Sequence, residues 1–188
     1  MPAADTAPSR RAKGTNLSQL VPFLRKRRKA RPFAPLSPAA EKLMEERIIE
    51  SRWYPFDPFV ELLRIVDKEV LRGSEELALG MGVVGGKQAL LGTHKAFVTV
   101  GDPLGSAMAM RHSWRAYFDF GELRAVADND RQVTLTLTGY SDVIMVHGGM
   151  IAGWGAAAAQ LAGAADAKAT LLEKPWEGAP RMVYRVTF

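Results

Sequence analysis

Residues 143–165 form a run of 23 positions without a charged side chain. About 20 apolar residues suffice to span a bilayer, so the length alone would allow it. The content argues otherwise: Ala and Gly dominate and insert weakly, His147 and Gln160 add cost, and no aromatic belt flanks the run. The run therefore reads as a buried helix, with no transmembrane segment expected. Within it, Gly149-x-x-x-Gly153 permits close backbone approach of a neighbour. The expected neighbour is the sheet beneath the helix, the alternative being the same helix of a second subunit. Ser141 or Asp142 is the expected cap.

The flanking periodicity supplies the elements around this helix. Ser37 caps and Pro38 starts a helix expected to reach Ile49. Trp53-Tyr54-Pro55-Phe56-Asp57-Pro58 reads as an aromatic loop, with Asp57 capping the next helix, which carries Phe59, Leu62, Leu63, Val66 and Val70. Gly73 stops it and Ser74 caps another through Leu77, Leu79 and Met81, followed by a looser helical stretch over residues 88–98. Asp102-Pro103 opens a long helix to about Phe118, ended by Gly121. The period then changes to two. Val133, Leu135 and Leu137 alternate with threonines and pair with residues 123–126 as a hairpin turned at Asp128-Asn129-Asp130. Residues 169–173 and 182–188 form a second hairpin. This order predicts an α+β fold, with N-terminal helices packed on a small antiparallel sheet of two β-hairpins separated by the long Ala/Gly-rich helix.

Charge divides the chain unevenly. Of 25 basic residues nine fall in residues 1–33, with one of the 20 acids, giving that segment +8 and the remainder −3. Residues 1–36 therefore read as a flexible basic arm and residues 37–188 as a single domain. Leu17, Leu20, Val21 and Leu24 share a helical face with Asn16 as cap, but Pro22 limits the expectation to a short amphipathic turn. The same proline breaks the only apolar stretch that could serve as an export signal, which points to a cytoplasmic protein. Arg25, Lys26, Arg27, Arg28, Lys29 and Arg31 form a cluster that would hold phosphates or anionic headgroups. A possible nucleic acid or anionic membrane contact thus falls within residues 10–31, the alternative being a protein-docking tail.

Catalytic motifs do not emerge. Gly80-Met81-Gly82-Val83-Val84-Gly85 fits the GxGxxG string, yet helical residues precede it and no βαβ unit follows, so a frayed or kinked helix is the expected structure. Gly85-Gly86-Lys87-Gln88 lacks the first glycine and the hydroxyl of a P-loop. With no cysteine in the chain, thiolate metal sites and cysteine nucleophiles are excluded. His94, His112 and His147 have no partner at metal-site spacing, and no elbow exposes Ser113. His147 is expected in the core. Aromatics cluster at Trp53, Tyr54, Phe56 and Phe59, and again at Trp114, Tyr117, Phe118 and Phe120. A ligand pocket between them would be lined by Trp53, Tyr54, His94, His112 and Trp114.

Several blocks carry a resemblance: Trp53-Tyr54-Pro55-Phe56 into Phe59-Val60-Glu61-Leu62-Leu63; Trp114-Arg115-Ala116-Tyr117-Phe118-Asp119; Gly121-Glu122-Leu123; Leu135-Thr136-Leu137-Thr138-Gly139; Gly153-Trp154; Glu173; and Gly178 with the closing Tyr184-Arg185-Val186-Thr187-Phe188. In these the chain resembles a myxobacterial family of unknown function. That family is distantly similar to the superfamily of 4-vinyl reductases, haem–nitric-oxide-binding domains and TRAPP subunits. The resemblance implies an α+β ligand-binding or assembly scaffold, often dimeric. The cysteines of vinyl-reductase-like domains and the Tyr-x-Ser-x-Arg signature for haem propionates are both absent, so the motifs do not support haem and leave the cofactor unknown.

The sequence thus points to a non-enzymatic sensory or adaptor module. Its domain would bind a small apolar ligand or a partner protein, and its basic arm would tether it to an anionic surface. The alternative is a dimeric, DNA- or nucleoid-associated structural protein that binds through the arm.

Overall fold

The computed structural model describes residues 10–92 and 94–188. Its C-terminal half follows the sequence pattern closely. Alternating valine and leucine with threonine builds β4 (Gln132–Thr138), whose odd-numbered side chains are buried. It pairs antiparallel with β3 (Glu122–Asn129) and, on its other edge, with β6 (Met182–Thr187), which also pairs with β5 (Lys168–Glu173). The resulting order is β3-β4-β6-β5, an antiparallel sheet covered on one face by helices.

The uncharged run becomes α6 (Met145–Leu161), starting after Ile144 with no side-chain cap. Neither Ser141 nor Asp142 caps it, because the Asp142 carboxylate is held by Arg10 instead. One face of α6 rests on the sheet, where a Cβ at Gly155 would press on the Tyr184 and Val186 side chains. The neighbour of Gly149 and Gly153, however, is neither the expected sheet nor the same helix of a second subunit. It is α4 (Glu75–Leu91): a Cβ at Gly149 would strike Ala78, and one at Gly153 the backbone of Leu79, Gly82 and Val83.

This contact also explains the GxGxxG string. The helix neither frays nor kinks there, and α4 runs unbroken from its Ser74 cap, whose hydroxyl accepts the Leu77 N–H (3.2 Å). Gly82 faces the Met150 backbone and Gly86 faces Trp154 and Ala157, so these glycines let two helices touch nearly backbone to backbone.

The N-terminal segment departs furthest from expectation. From Arg10 onward it is not an arm but part of the core. β1 (Arg11–Lys13) pairs antiparallel with β2 (Trp53–Pro55), which replaces part of the expected aromatic loop. The helix α1 (Leu20–Ala30) follows, burying Leu20, Val21 and Leu24 together with Leu17 just before it. The stripe was legible, but the effect of Pro22 was overestimated. Pro22 stands in the first turn, where backbone N–H groups have no intrahelical acceptor, so the proline costs no hydrogen bond. Residues 1–9 of the expected arm lie outside the described residues.

The remaining helices are α2 (Pro38–Glu45), α3 (Phe56–Val66) and α5 (Pro103–Tyr117). Ser37 caps α2 by accepting the Ala40 N–H, and Asp102 caps α5 by accepting that of Gly105 (2.8 Å). The helix α2 ends at Glu45 rather than Ile49, and Arg25 donates to the freed carbonyls of Met44 and Glu46. Asp57 does not cap α3, which begins at Phe56, two residues before Pro58, with Asp57 inside its first turn beside Arg10.

Candidate ligand cavity

Helical spacing places two aromatic rows face to face. On α5, Met110, Trp114 and Tyr117 follow one stripe; on α6, His147, Ile151 and Trp154 follow another. Between them, with Phe59 of α3, Tyr184 of β6 and Asn16 of the N-terminal segment, lies a cavity of about 90 Å3. Asn16 is fixed there by its side-chain amide, which donates to the carbonyls of Lys13 and Tyr117. The N-terminal segment therefore forms part of the wall.

Two polar groups decide the chemistry of this wall. His147, on the first turn of α6, is buried, and its Nδ1 lies 2.7 Å from the Tyr140 hydroxyl. Burial pushes the Tyr140 phenol well above its usual range and the His147 imidazole down to about 3. Both are neutral at physiological pH. Among the described residues the Tyr140 hydroxyl has no other partner; it donates to Nδ1 when the ring proton sits on Nε2 and accepts when that proton sits on Nδ1. The second group is Tyr117. Its hydroxyl is buried without a hydrogen-bond partner among the described residues, and burial likewise raises its pKa, keeping it a donor. An unsatisfied buried hydroxyl costs about 1–3 kcal/mol. The cavity is thus an apolar space with Tyr117 and His147 in its wall.

Beside it, Arg10 locks the N-terminal segment to the body of the protein. Its guanidinium donates to both carboxylate oxygens of Asp142 (2.5 and 2.8 Å) and lies 5.0 Å from the centre of the Phe56 ring and 5.3 Å from that of Phe120. Arg11 adds a pair of bonds to Asp119 (2.7 and 2.6 Å).

Of the five residues expected to line a pocket, only Trp114 does. Trp53 lies outside, beneath Lys13 (4.5 Å) and Arg11. Tyr54 is buried, but its hydroxyl is spent accepting the Ile49 N–H (2.9 Å). His94 packs against Phe97 and Tyr117 without reaching the cavity, and His112 is exposed, accepting from Arg111 (3.0 Å). The residue sequence reasoning set aside as core, His147, is the histidine that lines it. Its spacing of seven from Trp154 was the available signal.

The basic cluster is likewise absorbed in large part. Arg27 donates to the Glu69 carbonyl, Arg28 forms two bonds with Glu41 (2.6 and 2.8 Å), and Arg31 lies 4.0 Å from Glu69. Lys26 and Lys29 are exposed and, among the described residues, form no ion pair.

Neither a protein-family model nor a curated relative matches the chain. Solved structures do. An iron(II) unliganded H-NOX protein mutant from K. algicida superposes with a TM-score of 0.61 at 9% identity, covering 93% of this chain and 95% of its own. An H-NOX mutant from T. tengcongensis gives 0.57 at 11%, covering 94% and 97%. A third, from work on haem redox potential modulated through protein-induced porphyrin distortion, gives 0.57 at 13%, covering 94% and 99%. The fold is that of the H-NOX domains.

This corrects one expectation outright. The sequence motifs offer haem no support, yet the H-NOX fold supplies it, because structures that share the fold are of haem proteins. The likeness to the haem–nitric-oxide-binding branch of the resembled superfamily holds at the level of fold. Haem can also be tested against the cavity itself. His147 presents a neutral imidazole, the ligand type an iron takes. Space is the difficulty: about 90 Å3 is less than the roughly 150 Å3 that accommodates a benzene, and no Lys or Arg lines the wall to meet propionates. As packed here, the residues offer an imidazole but no room for a porphyrin ring.

Among the described residues no group of acidic or histidine side chains could hold a metal ion, and no helix is long and apolar enough to cross a membrane.

Proposed function

We propose that this chain is a non-enzymatic sensory module whose ligand occupies the cavity between α5, α6 and the sheet. The observation that carries the reading is the Tyr117 hydroxyl, buried and without a partner among the described residues, on a side chain that lines an otherwise aromatic space. It favours a small, largely apolar molecule bearing a hydrogen-bond acceptor. A ligand there would touch α5, α6 and the N-terminal segment at once, which gives it a route to the surface through Asn16 and the Arg10 clamp. The acceptor-bearing ligand, the sensory role and the absence of catalysis all belong to this proposal.

Native mass spectrometry of the purified full chain, compared with its denatured mass, tests it. A mass that leaves on denaturation, and that the Tyr117→Phe variant retains less well, is the expected result. A bare chain whose melting temperature no small carbonyl or alcohol probe raises would sink the proposal.

Haem is the second reading, favoured by the H-NOX fold. In it His147 would hold the iron, and the bound group would supply a coordination site for a further small ligand. The chain's own part would be to open the space now filled by Met150, Trp154 and their neighbours. A hemin titration followed in the Soret region, repeated with His147→Ala, tests this directly: a sharp band lost in the variant supports it, and identical spectra refute it.

Attachment to an anionic surface is also proposed, with Lys26 and Lys29 on the outer side of α1 as the contact. Nucleic acid is the alternative anion.

A further inference from the structure

The glycine pair of α6 is consumed by α4, so any contact with a second copy lies elsewhere. The outward face of α4 offers one. Leu77, Val84 and Leu91 recur at intervals of seven and are exposed by 53%, 68% and 70%. Between them Gly80 is also exposed, and a Cβ there would meet nothing within 4 Å. Gly82 and Gly86 are required by α6, but nothing among the described residues requires Gly80, which weakens the helix relative to alanine. A neighbouring helix at close range would use the missing side chain.

We infer that α4 is the contact surface of a twofold homodimer, in which it packs antiparallel on α4 of a second copy about an axis at Val84.

The arrangement of the stripe selects this occupant. Leu77 and Leu91 are equidistant from Val84, so an antiparallel pair opposes Leu77 to Leu91 in both directions and Val84 to itself, as an isologous contact requires. The same register sets Gly80 opposite Gln88. Charge agrees with it. The helix begins at Glu75 and Glu76 and has no charged residue between Leu77 and Gly86; Lys87 lies towards its other end, with exposed Lys95 one turn beyond. Glu75 is already paired with Lys174 (2.8 Å), whereas Glu76 is exposed and would lie near Lys95 of the partner subunit. A parallel pair would oppose like charges at both ends, while the antiparallel pair opposes unlike ones and also the two helix dipoles. A single helix pair buries less than the roughly 1,200–2,000 Å2 of a stable standard interface. The dimer is therefore expected to be weak and concentration-dependent.

Because the chain has no cysteine, the geometry can be tested with one introduced thiol. Val84→Cys places two sulfurs at the twofold axis, and oxidation should give a disulfide-linked dimer at least about tenfold faster than Val126→Cys, a control at another exposed valine. Sedimentation equilibrium of the full chain over a range of concentrations should show a monomer–dimer exchange. Val84→Glu should weaken it more than about tenfold by setting two carboxylates face to face. Glu76→Lys should weaken it less, and Lys95→Glu in the same chain should restore it. A chain monomeric at every concentration would overturn the inference. So would a dimer indifferent to Val84→Glu, or equal crosslinking at the two thiols. Each result is independent of whether the cavity holds a ligand.

Discussion

Replacing Gly153 with alanine sets two opposed effects against each other, and the structure decides which wins. On propensity alone the change favours α6 by about 1 kcal/mol, because glycine is a poor helix residue. The added methyl, however, has no room. It would overlap the Leu79 carbonyl and approach the backbone of Val83 and Gly82 below any normal contact distance. These are backbone atoms of a helix, which cannot turn aside as a side chain would, so α4 and α6 must separate along their contact. Over-packing of this kind costs up to about 3 kcal/mol, leaving a net loss of about 2 kcal/mol. In a protein of this size that lowers the melting temperature by about 4–8 °C. Gly80→Ala is the matched control in the partner helix: it meets nothing, and at low protein concentration it should gain the propensity alone, raising the melting temperature by about 2–4 °C. Urea and thermal unfolding followed by circular dichroism would read both. Equal stabilisation by the two substitutions would refute the close helix contact and with it the account of the GxGxxG string.

Further outcomes follow from the charged and titratable groups. His147 has a folded pKa below its unfolded value, so stability is fully present above about pH 6.5 and falls as pH drops towards 3. Urea titrations should show a loss of about 2 kcal/mol between pH 7 and pH 5 that is absent in His147→Gln. Arg10 holds Asp142 below the usual carboxylate range, a contribution present above about pH 4 and lost on further acidification through the depressed value. Arg10→Ala should therefore cost about 1 kcal/mol at pH 7, with the difference from wild type shrinking at pH 3 in the same assay. Flotation with anionic vesicles at low salt should be reduced by the Lys26→Glu/Lys29→Glu double variant, whereas binding that survives the double change would remove α1 as the contact.

Most of the chain beyond residue 36 is readable because its signals are local. Alternation of apolar residues with threonine fixes β4, Asp102-Pro103 fixes the start of α5, and Ser37 and Ser74 fix two more helix starts. The N-terminal segment was misread for the opposite reason. Its composition is that of a solvated tail, and what orders it are long-range partners: Asp119 for Arg11, Asp142 for Arg10, Glu41 for Arg28, and backbone carbonyls for Arg25 and Arg27. Charge density does not reveal that the counter-charges are intramolecular. The cavity was half legible. Its aromatic stripes could be counted, but Trp53 and Tyr54 were assigned inward, and a β-ribbon with the N-terminal segment turns them to other tasks. His147 has no metal-site spacing, and only the three-dimensional approach of Tyr140 gives it a hydrogen-bond partner.

The docking of the N-terminal segment also orders events during synthesis. Residues 10–24 are synthesised well ahead of their partners: four large apolar side chains emerge while the acceptors for Arg10 and Arg11 are still more than a hundred residues away. Arg11 has to wait for Asp119 and Arg10 for Asp142. At about 5–20 residues per second the delay amounts to several seconds or more. Throughout that interval the segment is cationic and apolar and lacks the partners that order it. Its docking between β2 and the end of α5 closes the cavity wall at Asn16, so the wall is completed by a segment that has to wait for partners synthesised after it.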